Sequence, residues 1–529
     1  MHKLFSLLCF SFLFAGLSAQ KADVKWGSTL ESETNVQRIL AEKSGKFFAL
    51  SARKNDLYLE RYNSKTFKQE FSNKIILPEL AGKEQSIEDI FYLQSHFILF
   101  ASLYDKKLNT FSIHAYSFNS DGVMSNDSPE LFSIEAESRL QAGKVEFHIS
   151  MDSTRILLAH YGYFKKEKTQ RITLVVLDEN LKKVTEAKEE YPTKAEGELH
   201  VISNYTINNK GDIFFLHTQI TPAKGKMPAM SAFKIVSFTP DGKHKKDFPI
   251  DLEGKRIDRL LFSFDVNENL LVSGFYETKN DKGRYSNTGV SGTFFMSIDQ
   301  ESGSEKSKIF QEFDKALLDN YYTPKQLTKP QLLPNNFVPR EIIQKEDGGV
   351  ICVFEQYTYV YSQTKGGGSI EETYYGDLLV ININAEGKIK WIKIIAKHQM
   401  FVQFRPMLGI GSGPVTVGFQ IKLKNDQSIY YSYLLAIKGD QIIFVFNDAP
   451  ANKEIRLGRD SETLTKIKGA IPMMVTLTEG GDVSKKALLE AAGFDVIIRP
   501  RIAFQSSETR ILIYGSKGDT DKFGVMNIE

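Results

Sequence analysis

The chain has 529 residues, with 67 basic and 65 acidic side chains, a formal net charge of +2 and only two cysteines. The near-neutral balance excludes broad electrostatic recruitment of nucleic acid or an acidic membrane, the 42% apolar content excludes a disordered chain, and the cysteine count excludes a disulfide scaffold. Aromatic residues reach 12%, with 38 Phe and 22 Tyr, a composition suited to half-buried pleated surfaces.

Residues 1–19 read as a secretory signal peptide. His2 and Lys3 form a short polar start, Leu4 to Leu17 are apolar, and Ser18 and Ala19 give a small-residue cleavage site. That apolar run is short for a bilayer span, and Cys9 lacks a lipoprotein-type setting. Cleavage leaves residues 20–529 as a single domain with no transmembrane segment, exported to the periplasm, the outer membrane or the outside. Cys352 is then the only cysteine, and its apolar run Val350 to Phe354 predicts a buried structural thiol.

From Val24 onward the chain alternates apolar runs with turn signals such as Asp121-Gly122, Asp241-Gly242, Asp347-Gly348-Gly349 and Glu386-Gly387. The runs group into four-strand units, here with strands a to d. The clearest covers 199–252, and the next repeats it to Phe313. Second strands begin near Phe47, Phe97, Ile156, Ile213, Leu270 and Val350, roughly 50–60 residues apart with one wider gap. A four-strand repeat of this length predicts an all-β fold, a β-propeller of seven or eight blades, because one twisted sheet buries both faces only between two neighbours. Residues 400–470 blur the count. The C-terminal end supplies three strands with no fourth, and Val24 to Leu30 is spare. The N-terminal strand is therefore expected to complete the last blade and close the ring. Phe310 to Tyr321 and Ser484 to Gly493 have helical features, though strand or loop fits them as well.

The stretches REIIQKEDGGVICVFEQY, YYGDLLVININAEGKIKWIKIIAKHQ and FNDAPANKE, within residues 340–453, resemble a group of uncharacterised secreted β-propeller-like (WD40-like) proteins of Gram-negative bacteria. The resemblance implies fold and compartment and no activity. Asn384 to Trp391 is also similar to the docking motif of quinoprotein propellers, in which a Trp packs on the next blade. It occurs once here, so Trp391 reads as blade-to-blade packing and no quinone or other cofactor is expected.

No catalytic motif emerges. The histidines lack metal-site spacing, although His200 and His217 flank one hairpin. Gly409 to Gly413 fits neither a nucleophile elbow nor a dinucleotide loop, because Pro414 stands where glycine belongs. Propeller topology puts b–c loops and d–a connections on one face. The long segments 277–292, 314–337 and 357–376 should therefore form a common rim carrying Tyr276, Arg284, Tyr285, Tyr321, Tyr322, Tyr357, Tyr359, Tyr361, Glu371, Glu372, Tyr374 and Tyr375. Amphipathic rings on loops of a rigid scaffold suit a protein, peptide or glycan at the cell envelope; packing of the loops onto the blades is the competing reading. The expected function is a non-catalytic binding or scaffold propeller. A glycan-active hydrolase or lyase with acids around the channel, and a structural part of an envelope complex, are the alternatives.

Overall fold

The computed structural model describes residues 22–529 apart from 32–33, 95, 120, 137, 139–141, 165–166, 194–196, 224–229, 243–244, 281–282, 286–288, 329–330, 365–367, 406–426 and 489–494. Residues 1–19 and the Gly409 to Gly413 stretch lie outside the described residues.

Among the described residues, seven four-stranded antiparallel sheets and one five-stranded sheet follow one another along the chain, with a two-stranded pair, Gly289–Val290 with Leu333–Pro334, beside blade 5. Blades 1 to 7 span residues 35–74, 86–135, 144–192, 199–250, 256–312, 337–405 and 434–487, and blade 8 combines 497–528 with Ala22–Trp26. The strands form where the alternating apolar runs lie. The turns between them fall where a side chain is disfavoured, as at Gly348 (φ 83°) and Gly387 (φ 77°).

Each sheet buries its two faces against different neighbours. One apolar cluster joins blades 1 and 2, others join 2 to 3, 3 to 4, 4 to 5, 5 to 6, 6 to 7 and 7 to 8. An eighth packs Val36, Phe47 and Tyr62 of blade 1 on Leu512, Tyr514 and Phe523 of blade 8. The ring is thus closed, with eight blades, and Ala22–Trp26 runs antiparallel to Gly524–Ile528 as the missing fourth strand. At roughly 1.5–3 kcal/mol per fully buried large side chain, these interfaces carry the fold. Cys352 sits in the blade 5–6 cluster, and burial pushes its thiol up to about 12. Trp391 of blade 6 reaches blade 7, its Nε1–H donating to the Glu479 carbonyl at 2.9 Å.

Three expectations change. Residues 357–363 and 369–376 are strand where a loop was expected: Val350–Gln363 and Ser369–Ile383 are unusually long strands that carry the b–c hairpin above the disc. Ser484 starts no helix, because Val483–Ala487 finds a sheet partner in Met473 to Leu477, and tertiary pairing outweighs local preference. The other helical stretch shrinks to Lys315–Tyr321, capped by the Asp314 side chain, since Glu305–Glu312 is the outer strand of blade 5.

Candidate functional site

The b–c hairpins and d–a connections share one face, called upper here. On it, blade 6 stands apart. The far half of its hairpin gains a third strand, Gln399–Arg405, which pairs with Ser369 to Tyr375 on the side opposite Tyr357 to Gln363. Directly opposed residues share a face of the sheet. One face carries Tyr357, Tyr359 and Tyr361 beside Tyr375, Thr373 and Glu371, then Gln399, Phe401 and Gln403. Its base is buried. Tyr375 and Phe401 join Ile429, Tyr431, Leu464 and Ile467 in a separate cluster above the disc. Further out Tyr359 is 51% and Tyr361 54% exposed. The other face carries Val360, Glu372 and Val402 in one row and Ser362, Ile370 and Phe404 in the next. Phe404 is 61% exposed, and Val360 and Val402 are exposed with it.

A buried polar network fixes the root of this extension. Glu355 and Lys397 are both 0% exposed. The Lys397 ammonium donates to Glu355 (2.9 Å) and to the Tyr375 carbonyl (3.2 Å). Arg340 adds two bonds to Glu355, at 2.9 and 2.6 Å, and the Ser432 hydroxyl a further one at 2.9 Å. Burial by itself raises the Glu355 carboxyl, but the two cations outweigh it and hold it below the ordinary carboxylate range. Gln399 continues the network to Asn447 of blade 7, whose amide donates to the Ile498 carbonyl of blade 8. There the buried Arg499 donates to Ser516 and to Asn35 of blade 1. Four blades are tied together beneath the extension.

His398 clamps the loop over it. Its Nε2 lies 3.0 Å from Asp377 Oδ1, and the Leu464 amide donates to the His398 carbonyl. Burial disfavours the charged ring, yet the Asp377 carboxylate and the Ser461 carbonyl outweigh it and hold the imidazole above its ordinary value of 6.5. The stabilisation this gives the 458–464 loop is therefore complete below pH 6.5 and fades as pH rises through the elevated folded value. A ring-proton NMR titration is expected to place the His398 midpoint above 6.5; a midpoint at or below it removes the charged clamp.

The expected rim residues divide. Tyr276 is buried in the blade 4–5 core, edge-on to Phe310, with its hydroxyl pushed up to about 12. It leaves the surface set because its position faces the neighbouring blade. Tyr285 donates to the Gly254 carbonyl at 2.8 Å under the Arg256 guanidinium, and so pins its loop to blade 5. Arg284 is exposed on that loop. Tyr322 donates to the Leu332 carbonyl (2.6 Å), and Tyr321 accepts from Gln356 (2.9 Å). Both hold the 313–336 connection. Tyr357 packs on Tyr375, and Tyr374 lies beside His398. Tyr359, Tyr361 and Glu372 are exposed, and Glu371 is half-buried.

Phe401, Val402 and Phe404 were outside the expected set. The alternation of Met400, Val402 and Phe404 is the sequence signal for their strand. His200 and His217 do meet: Nδ1 and Nε2 are 2.9 Å apart, with Tyr191 stacked on His217 and Glu198 3.9 Å from His200. The pair is buried between blades 3 and 4. No group of three metal-ligating side chains occurs among the described residues, and no helix among them is long and apolar enough to cross a membrane.

Fold and site together define an eight-bladed β-propeller with a three-stranded extension on blade 6. Among solved structures, the chain is similar to the Dos1 propeller (9% identity, 95% of each chain, TM-score 0.38). It is also similar to the WD40 domain of SCAP from fission yeast (7% identity, 96% of this chain and 98% of that one, TM-score 0.36). A third is the β-propeller domain of the Trilobed protease from Pyrococcus furiosus (10% identity, 88% and 98%, TM-score 0.34). No protein-family model and no curated protein matches the sequence.

Proposed function

We propose that this chain is an exported, non-catalytic binding or scaffold propeller that engages a protein or peptide of the cell envelope through the blade 6 extension. One observation carries the reading: a hairpin prolonged above the disc, stiffened by a third strand, presents Tyr359, Tyr361, Val360, Val402 and Phe404 to solvent. Exposed aromatic and aliphatic side chains on a rigid element lose little entropy on contact and suit a protein interface. The acidic groups at its root support binding over catalysis, since Glu355 and Asp377 are held by cationic partners that position the extension. Export is supported by residues 1–19, with their polar start, apolar run and small-residue end.

The test is capture from envelope fractions on immobilised protein. A partner held by the wild type is expected to drop about tenfold, worth about 1.4 kcal/mol, with Tyr359→Ala/Phe404→Ser at an unchanged melting temperature. Equal capture by both rules the extension out. Export is checked on the mature chain in its native host, whose first residue is expected at or near position 20.

A further inference from the structure

We infer that the central channel holds a second ligand site, in which Arg340 and Arg501 grip the carboxylate of a small polar monoacid. The site lies apart from the outer surface of the extension and does not depend on the envelope role. Departures from the ladder in the innermost strands build it. The pairing slips at Asn204 and Tyr205 in blade 4, at Asp258 in blade 5 and at Arg340 in blade 6. Such bulges re-aim side chains. Asn204, Asp258 and Arg340 accordingly all line one recess of about 320 Å³, a size that suits a small molecule. In blade 8 the pairing lapses between Ile498 and Ala503, and Arg501 projects there as an exposed side chain.

The two guanidiniums converge on one pair of tyrosines. Arg501 lies 5.2 Å from the Tyr375 ring and Arg340 5.8 Å from the Tyr357 ring, and the two rings are 5.4 Å apart. Arg340 commits Nε and Nη2 to Glu355 and keeps Nη1 for another acceptor. Arg501 has no carboxylate in ion-pair distance among the described residues. The Tyr433 hydroxyl is an independent sign of a ligand. Tyr433 is 8% exposed, its hydroxyl lies in the field of Arg340, Arg501, Glu341 and Glu355, and it donates to no described residue. Buried hydroxyls are as a rule partnered, and a carboxylate against Arg501 supplies the missing acceptor. Charge sets the class of ligand. Three cations, Arg340, Lys397 and Arg501, face two carboxylates, Glu355 and Glu341, with Asp377 matched by His398. One positive charge is left over. A monoanion balances it, whereas a dianion would add charge beside Glu341. Guanidinium forks match planar carboxylates, and Ser203 and Asn204 in the recess suit a polar body.

Calorimetric titration with D-galacturonate and N-acetylglycine presents the carboxylate on a sugar and at a peptide end; galactose, N-acetylglycinamide and sulfate are the controls. At least one of the two acids is expected to bind with a Kd of about 1 mM or tighter, and its neutral counterpart and sulfate at least about tenfold more weakly. Which acid binds identifies the source of the carboxylate. Arg501→Gln is expected to lose about tenfold and Tyr433→Phe about threefold. Neither should lower the melting temperature by more than about 2 °C, since the groups removed hold no ion pair or hydrogen bond among the described residues. Binding of neither acid overturns the inference, as does equal binding of sulfate or of the neutral compounds. Unchanged affinity in Arg501→Gln overturns it too. Should that variant melt early, Tyr433→Phe decides: a weaker acid affinity at an unchanged melting temperature supports the site, and an unchanged affinity overturns it.

Discussion

Deleting residues 20–31 is expected to destabilise the whole propeller by about 5 kcal/mol, not merely one blade, since such a loss approaches the 5–15 kcal/mol that holds most folded domains. The segment is the clasp of the ring. Ala22 to Trp26 pair one by one with Ile528 to Gly524, and each ladder bond contributes about 0.5–1.5 kcal/mol net. The Trp26 indole lies over Gly515 and Gly524, where an added Cβ would come within 2.8 and 2.7 Å of the ring. Both positions are glycine because the indole needs that space. The chain then crosses to the next interface: Gly27 donates to the Phe523 carbonyl, Leu30 donates to the Asp521 carbonyl, and the Leu30 side chain enters the cluster between blades 8 and 1. Val24 and Trp26 pack on the cluster between blades 7 and 8. Removing the segment therefore weakens two adjacent interfaces together. Chemical denaturation should show an earlier and shallower transition, and a synthetic peptide of residues 20–31 should restore it in part. A truncated protein with the wild-type midpoint and slope would show that the ring closes without its clasp.

Glu355→Leu is expected to cost about 3–5 kcal/mol, the penalty for leaving a buried cation unmatched. Lys397 has no exposure to water, and its Nζ would keep only the Tyr375 carbonyl at 3.2 Å and Gln399 Oε1 at 3.4 Å. Arg340, partly exposed, can turn to solvent. The double change Glu355→Leu/Lys397→Met should cost less than the sum of its single changes, because it removes both charges. Additive costs would show that the pair is not coupled. The Glu355 carboxyl is held below its ordinary 4.5, so its stabilising share is complete above that value and disappears as pH falls through the lower folded value. The stability gap between wild type and Glu355→Gln should shrink correspondingly in acid; a gap constant down to pH 3 would place the stabilisation elsewhere. Because this network roots the extension, Glu355→Leu should also loosen strands 357–363 and 369–375, seen as faster amide exchange there.

The sequence reveals chemistry better than placement. Tyr276, Tyr285 and Tyr359 look alike along the chain, each an aromatic in or beside a long b–c segment. Their surroundings separate them. Tyr276 points into the neighbouring blade, Tyr285 reaches the Gly254 carbonyl, and Tyr359 stands where the hairpin has left the disc. Nothing local to residue 359 signals how far its strand runs, because the extension exists only once Gln399–Arg405, some 40 residues on, pairs with Ser369 to Tyr375. The same holds for Glu355 and Lys397, whose spacing suggests no contact.

Alternating apolar runs punctuated by Gly, Asp and Asn determined by themselves that this chain folds into repeated four-strand sheets, with a spare N-terminal strand to finish the last. Side-chain period and turn chemistry are local properties, and the residues state them directly. The number of blades, the burial of individual tyrosines and the third strand of blade 6 were decided by the tertiary structure. Each depends on which distant segment arrives alongside, and that is set by the twist of the sheets and the closure of the ring, where strand pairing between remote residues outweighs what any one stretch prefers.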